Sequence, residues 1–143
     1  MRELFGWKAT KSIKFKGNFT SSRHEYSDNN SAVKGNLLPN DPDMLANATL
    51  YFRPLASIEV FLHGQIVGKR FVDDSNTDAN SMAQYHLLNV GINLARGPLD
   101  IQIRLNNALD DLTITHGEDW GSGYISYWPG ADRNLFVNLI YTY

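Results

Sequence analysis

Residues 85–111 read YHLLNVGINLARGPLDIQIRLNNALDD. Leu88, Val90, Ile92 and Leu94 alternate with Asn89, Gly91 and Asn93. Beyond Arg96-Gly97-Pro98, Leu99, Ile101, Ile103 and Leu105 alternate with Asp100, Gln102, Arg104 and Asn106. Successive strand side chains point to opposite faces, so each run has one apolar and one polar face. Glycine and proline between them supply the angles of a tight turn and stop the ladder. The stretch predicts an antiparallel hairpin.

The same period extends outward in both directions. Ile13, Phe15, Gly17 and Phe19 alternate with Lys14, Lys16, Asn18 and Thr20 over residues 12–22. Ala46, Ala48, Leu50 and Phe52 alternate with Asn47, Thr49, Tyr51 and Arg53 over 45–53. Ile58, Val60, Leu62 and Ile66 alternate with Glu59, His63 and Gln65 over 57–67, with Phe61 out of pattern. Residues 2–10 are a weaker strand candidate. The chain closes on RNLFVNLIYTY, where Leu135, Val137, Leu139, Tyr141 and Tyr143 form an apolar row. No window holds a helical period, so the fold class is all-β: an up-and-down antiparallel meander of about seven strands.

The connections alternate in length. Lys11-Ser12, Pro54-Leu55-Ala56 and Arg96-Gly97-Pro98 are tight turns. Residues 24–43, 68–83 and 107–132 are long and rich in Asn, Asp, Ser and Gly, and loops of that length are uncommon in compact domains. Strict alternation sends every long loop to one end of the sheet. Short turns at one end and long loops at the other is the layout of an outer-membrane barrel. Hydropathy windows do not detect such strands, since each is short and two-faced. Polar rows then face the lumen and apolar rows face lipid. Tyr141, Tyr143 and Phe52 fall near the turn end. Tyr26, Tyr85, Trp120, Tyr124, Tyr127 and Trp128 fall towards the loop end, where aromatic rings settle at headgroup level.

Composition narrows the classes. The 143 residues are 43% hydrophobic with a formal charge of −2 and no cysteine. That charge gives no electrostatic case for nucleic acid. The absence of cysteine excludes disulfides and thiolate metal sites. Met1-Arg2-Glu3-Leu4 opens directly on patterned sequence, which predicts no signal peptide.

Four stretches together resemble the C-terminal part of the barrel of TonB-dependent outer-membrane receptors: GNLLPNDPDMLANATLYFRP (35–54), VGKRFVDDSNT (67–77), residues 85–111, and YWPGADRNLFVNLIYTY (127–143). The resemblance implies a gated importer of a scarce solute such as a ferric siderophore, haem or cobalamin. Its barrel would have about 22 strands around a plug. It implies outer-membrane lipid, the barrel assembly machinery and a small metal chelate as partners. The TonB complex would be reached only through N-terminal regions absent from this chain. It also implies that Leu135, Val137, Leu139, Tyr141 and Tyr143 form the terminal strand read during assembly. Seven strands do not close such a barrel, so residues 1–143 are expected to be its C-terminal portion, prone to aggregate through two free edges. The family's Asn-Leu-Phe-Asp is here Asn107-Ala108-Leu109-Asp110, and the final residue is Tyr143 rather than Phe.

Site candidates follow. Trp120, Tyr124, Tyr127 and Trp128 are the ligand-contact candidates, because planar rings give contact area at low entropic cost. Asn106, Asn107 and Asp110 are expected to fix a loop's departure by side-chain to backbone bonds, and Asp132 and Arg133 to pin the last loop on the terminal strand. His24, His63, His86 and His116 lack metal-ligand spacing, and Asp73-Asp74 with Asp78 and Asp110-Asp111 lack the glycine and distal glutamate of a calcium loop. Solvated loops are expected there, with no metal or cofactor. No Gly-x-Ser-x-Gly elbow occurs, and no enzyme is expected. The alternative is a soluble β-sandwich or small barrel binding a ligand or partner, with the apolar rows as its core.

Overall fold

The computed structural model describes residues 2–8, 10–29 and 32–143. The strands are β1 (Arg2–Lys8), β2 (Ile13–Ser21), β3 (Met44–Leu55), β4 (Ile58–Val67), β5 (Arg70–Phe71), β6 (Ser81–Met82), β7 (Tyr85–Arg96), β8 (Leu99–Asn106), β9 (Ile114–Asp119), β10 (Ile125–Pro129) and β11 (Asn134–Tyr141). Seven of them form one antiparallel sheet in the order β1-β2-β3-β4-β7-β8-β11. The pairs β5/β6 and β9/β10 are separate two-stranded ribbons within the long loops. A 3₁₀ turn, Asp78–Asn80, lies in the second loop.

Register aligns the apolar rows into one face. Phe15 pairs with Leu50, Leu50 with Leu62, Leu62 with Val90, Val90 with Leu105 and Leu105 with Leu135. The next row runs Ile13, Phe52, Val60, Ile92, Ile103, Val137. Phe5 and Trp7 join the same face opposite Gly17 and Phe15. Among the described residues nothing covers it: Leu135 is 66% exposed and Leu139 65%. A soluble sandwich needs a second sheet here, and among the described residues none is present.

The opposite face is polar and cross-linked. Asn47 donates to Asn18 at 3.0 Å, Thr49 bonds His63 at 2.8 Å, Arg53 donates to Glu59 at 2.5 Å, and Asn93 reaches Glu59 at 3.2 Å. Such directly opposed pairs are the unit of sheet stabilisation. Phe61, out of pattern in the sequence, has its place here. Its ring covers Gly91, where an added Cβ would lie 2.2 Å from it. Tyr51 lies 6.3 Å away on one side, and the Arg104 guanidinium 5.8 Å above the ring. The missing side chain of Gly91 is what admits an aromatic to a polar face.

The turns differ in detail from the sequence expectation. Pro54 and Leu55 are not turn residues: Leu55 pairs with Ile58, which leaves Ala56-Ser57 as the turn. Pro54 lies in the register shift between Phe52 and Leu55. A bulge tolerates proline because the extra residue need not donate to the ladder. At the β7–β8 turn, Gly97 takes φ +59°, an angle glycine adopts freely.

Gly91→Ala is expected to cost about 1–3 kcal/mol by overpacking against the Phe61 ring. Adding Phe61→Ala should recover part of the loss. Urea midpoints of the two variants in lipid vesicles check this, and equal midpoints for Gly91→Ala with and without Phe61 would contradict it.

Candidate functional site

The buried hydrophobic residues among those described are Val67, Val72 (3% exposed) and Met82 (1%), and all three lie at the long-loop end. The three long loops fold together there into a cap. Its local conformations begin with asparagine. Asn40, Asn76 and Asn107 have φ of 60°, 56° and 48°. Asparagine tolerates this left-handed region better than most residues, and its amide can bond backbone. The same three side chains carry the cap's connections.

Asn40, in the first loop, donates to the Gly117 carbonyl at 2.8 Å and accepts from the Gly117 N–H at 2.9 Å. That reciprocal pair ties the first loop to β9. Asn76, in the second loop, accepts from Leu37 N–H at 2.6 Å and donates to Leu37 carbonyl at 2.9 Å. Arg70 ties the second loop to the third by donating to the carbonyls of Thr115 at 2.9 Å and Ile114 at 2.6 Å. It is 5% exposed and lies over the Tyr85 ring at 5.3 Å. Gly117 packs on Val72, whose Cγ2 would be 2.5 Å from an added Cβ. None of Asn40, Arg70, Val72, Asn76 or Gly117 stood out as a site residue in the sequence. The one signal was the recurrence of asparagine inside long loops.

Asp73 corrects the expectation of a solvated acidic loop: it is only 5% exposed. Burial acts to raise its pKa, but the Thr77 and Ser75 N–H groups, the Asn80 amide and the Thr77 hydroxyl outweigh it and hold the carboxyl below its usual value. A depressed folded value means that Asp73 stabilises the cap above the unfolded pKa of about 3.9. That contribution disappears as pH falls through the lower folded value.

Asn107 is 3% exposed and bonds three segments. Its N–H donates to Asn89 at 2.9 Å, and its amide donates to the carbonyls of Asp111 at 2.9 Å and Ala131 at 3.2 Å. Asn106 donates to Asn134 at 2.9 Å. Asp110, with φ 60°, accepts from the Arg133 N–H at 3.3 Å and pairs with its guanidinium at 3.1 Å. Arg133 therefore meets Asp110 and not its neighbour Asp132, whose carbonyl accepts from Asn134 at 2.8 Å. Leu135, Val137, Leu139 and Tyr141 lie on the open apolar face, with Tyr141 opposite Leu99.

The loop aromatics divide between two faces of the β9–β10 ribbon. Tyr127 pairs with Gly117, on the side of Val72. Trp128 pairs with His116, their rings 5.3 Å apart. By alternation Trp120 and Tyr124 share the face of Trp128, away from the cap core. They are exposed beside a turn in which Gly121 and Gly123 have φ of 82° and 79°. By alternation three of the four candidates thus share one face of the ribbon. Two others of the loop-end aromatics serve the cap: Tyr85 underlies Arg70, and the Tyr26 hydroxyl bonds Asp74 at 2.6 Å.

No family model and no curated protein sequence matches the chain. Solved structures do. The chain is similar to the ferric yersiniabactin uptake receptor FyuA from Yersinia pestis, at a TM-score of 0.84 and 18% identity over 99% of this chain and 23% of that one. It is similar to the siderophore receptor PiuA from Acinetobacter baumannii, at 0.80 and 16% over 99% of this chain and 21% of that one. The ferric citrate transporter FecA matches at 0.80 and 16% over 91% of this chain and 21% of that one. The seven-stranded meander shares its fold with a section of each of these structures. The chain spans about a fifth of the length of these structures.

Asn40→Ala removes both bonds to Gly117, each worth about 1 kcal/mol net. Amide exchange of residues 114–128 should accelerate by about tenfold or more. Exchange in β7 and β8 should stay unchanged, and hydrogen-exchange mass spectrometry reads both. Unaltered exchange in the β9–β10 ribbon would mean that the loops are not coupled through Asn40.

Proposed function

We propose that the chain is the C-terminal portion of the barrel wall of a TonB-dependent outer-membrane receptor, acting in the uptake of a scarce solute across the outer membrane of a Gram-negative bacterium. The observation that carries the proposal is the continuous apolar face, aligned strand by strand and left uncovered. In water such a face is unstable, whereas in a bilayer it is the wall's lipid-facing side. The similar structures are receptors or transporters for ferric yersiniabactin, a siderophore and ferric citrate, and a copper transporter is similar as well. They support a small metal chelate as the class of solute.

The mechanism assigned to this section is passive. The apolar face holds the wall in outer-membrane lipid. The polar face, with Lys14, Lys16, Glu59, Gln65, Gln102 and Arg104, lines the lumen and meets the plug. The cap stands outside, and the face bearing Trp120, Tyr124 and Trp128 contacts solute. The strand that ends at Tyr141, with Tyr143 beyond it, is the segment read by the assembly machinery. Coupling to the TonB complex belongs to regions outside this chain.

Leu139→Arg and Ile101→Arg place a guanidinium on the lipid-facing side. Each should be destabilising, by up to about 2–4 kcal/mol at the bilayer midplane and less towards the turn end, where both lie two positions from the Leu99–Tyr141 pair, while Gln102→Arg on the lumen side should be tolerated. Folding yields into lipid vesicles, measured by circular dichroism across a urea series, separate the three variants. Equal tolerance at the three positions would reverse the facing. Recovery of the unmodified chain as a monodisperse, strand-rich monomer without detergent would overturn the membrane assignment.

A further inference from the structure

Charge is unevenly distributed along the chain. Residues 22–43, 68–84 and 107–133 hold twelve of the fifteen acidic residues and five of the thirteen basic ones, a net charge of −7. The strands and tight turns hold eight basic and three acidic residues, a net +5. The cap is therefore strongly negative and the wall below it positive.

Four of the cap's five cations are already engaged. Arg23 pairs with Glu25, Lys69 with Asp78 and Arg133 with Asp110. Arg70 is buried against backbone carbonyls. Among the described residues, Lys34 alone of the basic loop side chains is exposed without a carboxylate, and it bonds Asn29. Glu118, by contrast, is exposed and has no ion-pair partner among the described residues. It pairs with Ser126 on the ribbon and so lies between His116 and Trp120, on the face that carries Trp128.

We propose that this face binds a cationic solute. The proposal rests on the receptor reading and names the charge class of what the receptor takes. Aromatic ring faces are negative, and a cation over tryptophan or tyrosine is attracted by them. The Glu118 carboxylate adds a full charge beside the rings. The net field of the cap concentrates cations and repels polyanions before contact, with a range of about 8 Å at physiological ionic strength. A ferric tricatecholate, with three negative charges, meets carboxylates here and finds no open guanidinium to receive it. A chelate bearing a free ammonium group meets complementary charge at every approach.

The test is equilibrium dialysis of the closed receptor that carries this section, in detergent micelles, against three probes: a ferric trihydroxamate with one free ammonium group, the same complex acetylated to neutrality, and a ferric tricatecholate. The cationic probe should bind at least tenfold more tightly than the tricatecholate, with the neutral one between. The gap should shrink as salt is raised. Glu118→Gln should bring the cationic probe down to the neutral one, and Trp128→Ala should weaken both, with strand content by circular dichroism as the folding control. Tightest binding of the tricatecholate, equal affinities, no binding of any probe, or indifference to Glu118→Gln would each overturn the proposal. A protein that folds only in lipid yet prefers the tricatecholate would refute the charge assignment and leave the receptor reading standing. A water-soluble monomer would refute the receptor reading itself.

Discussion

Register is the constraint on which the rest of this structure depends. Side chains alternate with a period of two, so a slip of one residue between neighbours carries a whole strand's apolar row to the other face. Here the apolar rows coincide across seven strands. The two-residue turns contribute to that alignment at one end, because a short connection leaves no slack. Polar pairs such as Asn18 with Asn47 and Thr49 with His63 contribute along the middle of the sheet. The result is a sheet with two solvents' worth of surface chemistry, one on each face.

The hydrophobic core of the described residues is displaced from the middle of the sheet to its long-loop end. Val67, Val72 and Met82 are buried where the sequence is richest in polar residues. This inversion follows from what surrounds each part on the proposed reading. A lipid-facing wall needs no protein cover, because hydrocarbon is as apolar as leucine. The loops stand in water and must enclose their own apolar residues. Long loops held only by polar contacts would fluctuate, and the Val72–Gly117 contact gives the cap an apolar centre around which the asparagine bonds are arranged.

Much of the wall was legible in the sequence, and the cap was not. Alternation in residues 85–111 gave both strands to within about a residue, because tertiary context only reinforces a period already present. Pro54 misled, since the same residue that stops a ladder also fits a bulge within one. Asn107 and Asp110 could be assigned a bonding role from their residue types at a strand end, but their partners Asn89, Ala131 and Arg133 lie 18, 24 and 23 residues away and were not legible. The Asn40–Gly117 bond joins residues 77 apart, and the Arg70 bonds join residues 44 and 45 apart. Composition marks such loops as polar and irregular, but it carries no record of which carbonyl a distant amide will meet. Asp73 shows the cost of that blindness. Beside Asp74 it looks like one of two solvated acids, yet four local donors make burial acceptable for one and leave the other exposed.

The two edges of the sheet complete the physical argument. β1 and β11 lie at opposite ends of the strand order, each with one side unpaired among the described residues. In the hydrocarbon region every backbone donor and acceptor must find a partner, which is why spanning sheets are closed. The apolar face and the open edges therefore make opposite demands. The face calls for lipid, and lipid forbids the edges. Both are met only when further strands continue the sheet on each side until it closes. On the proposed reading, the uncovered face and the unpaired edges are both accommodated by one arrangement, a section of a larger closed wall.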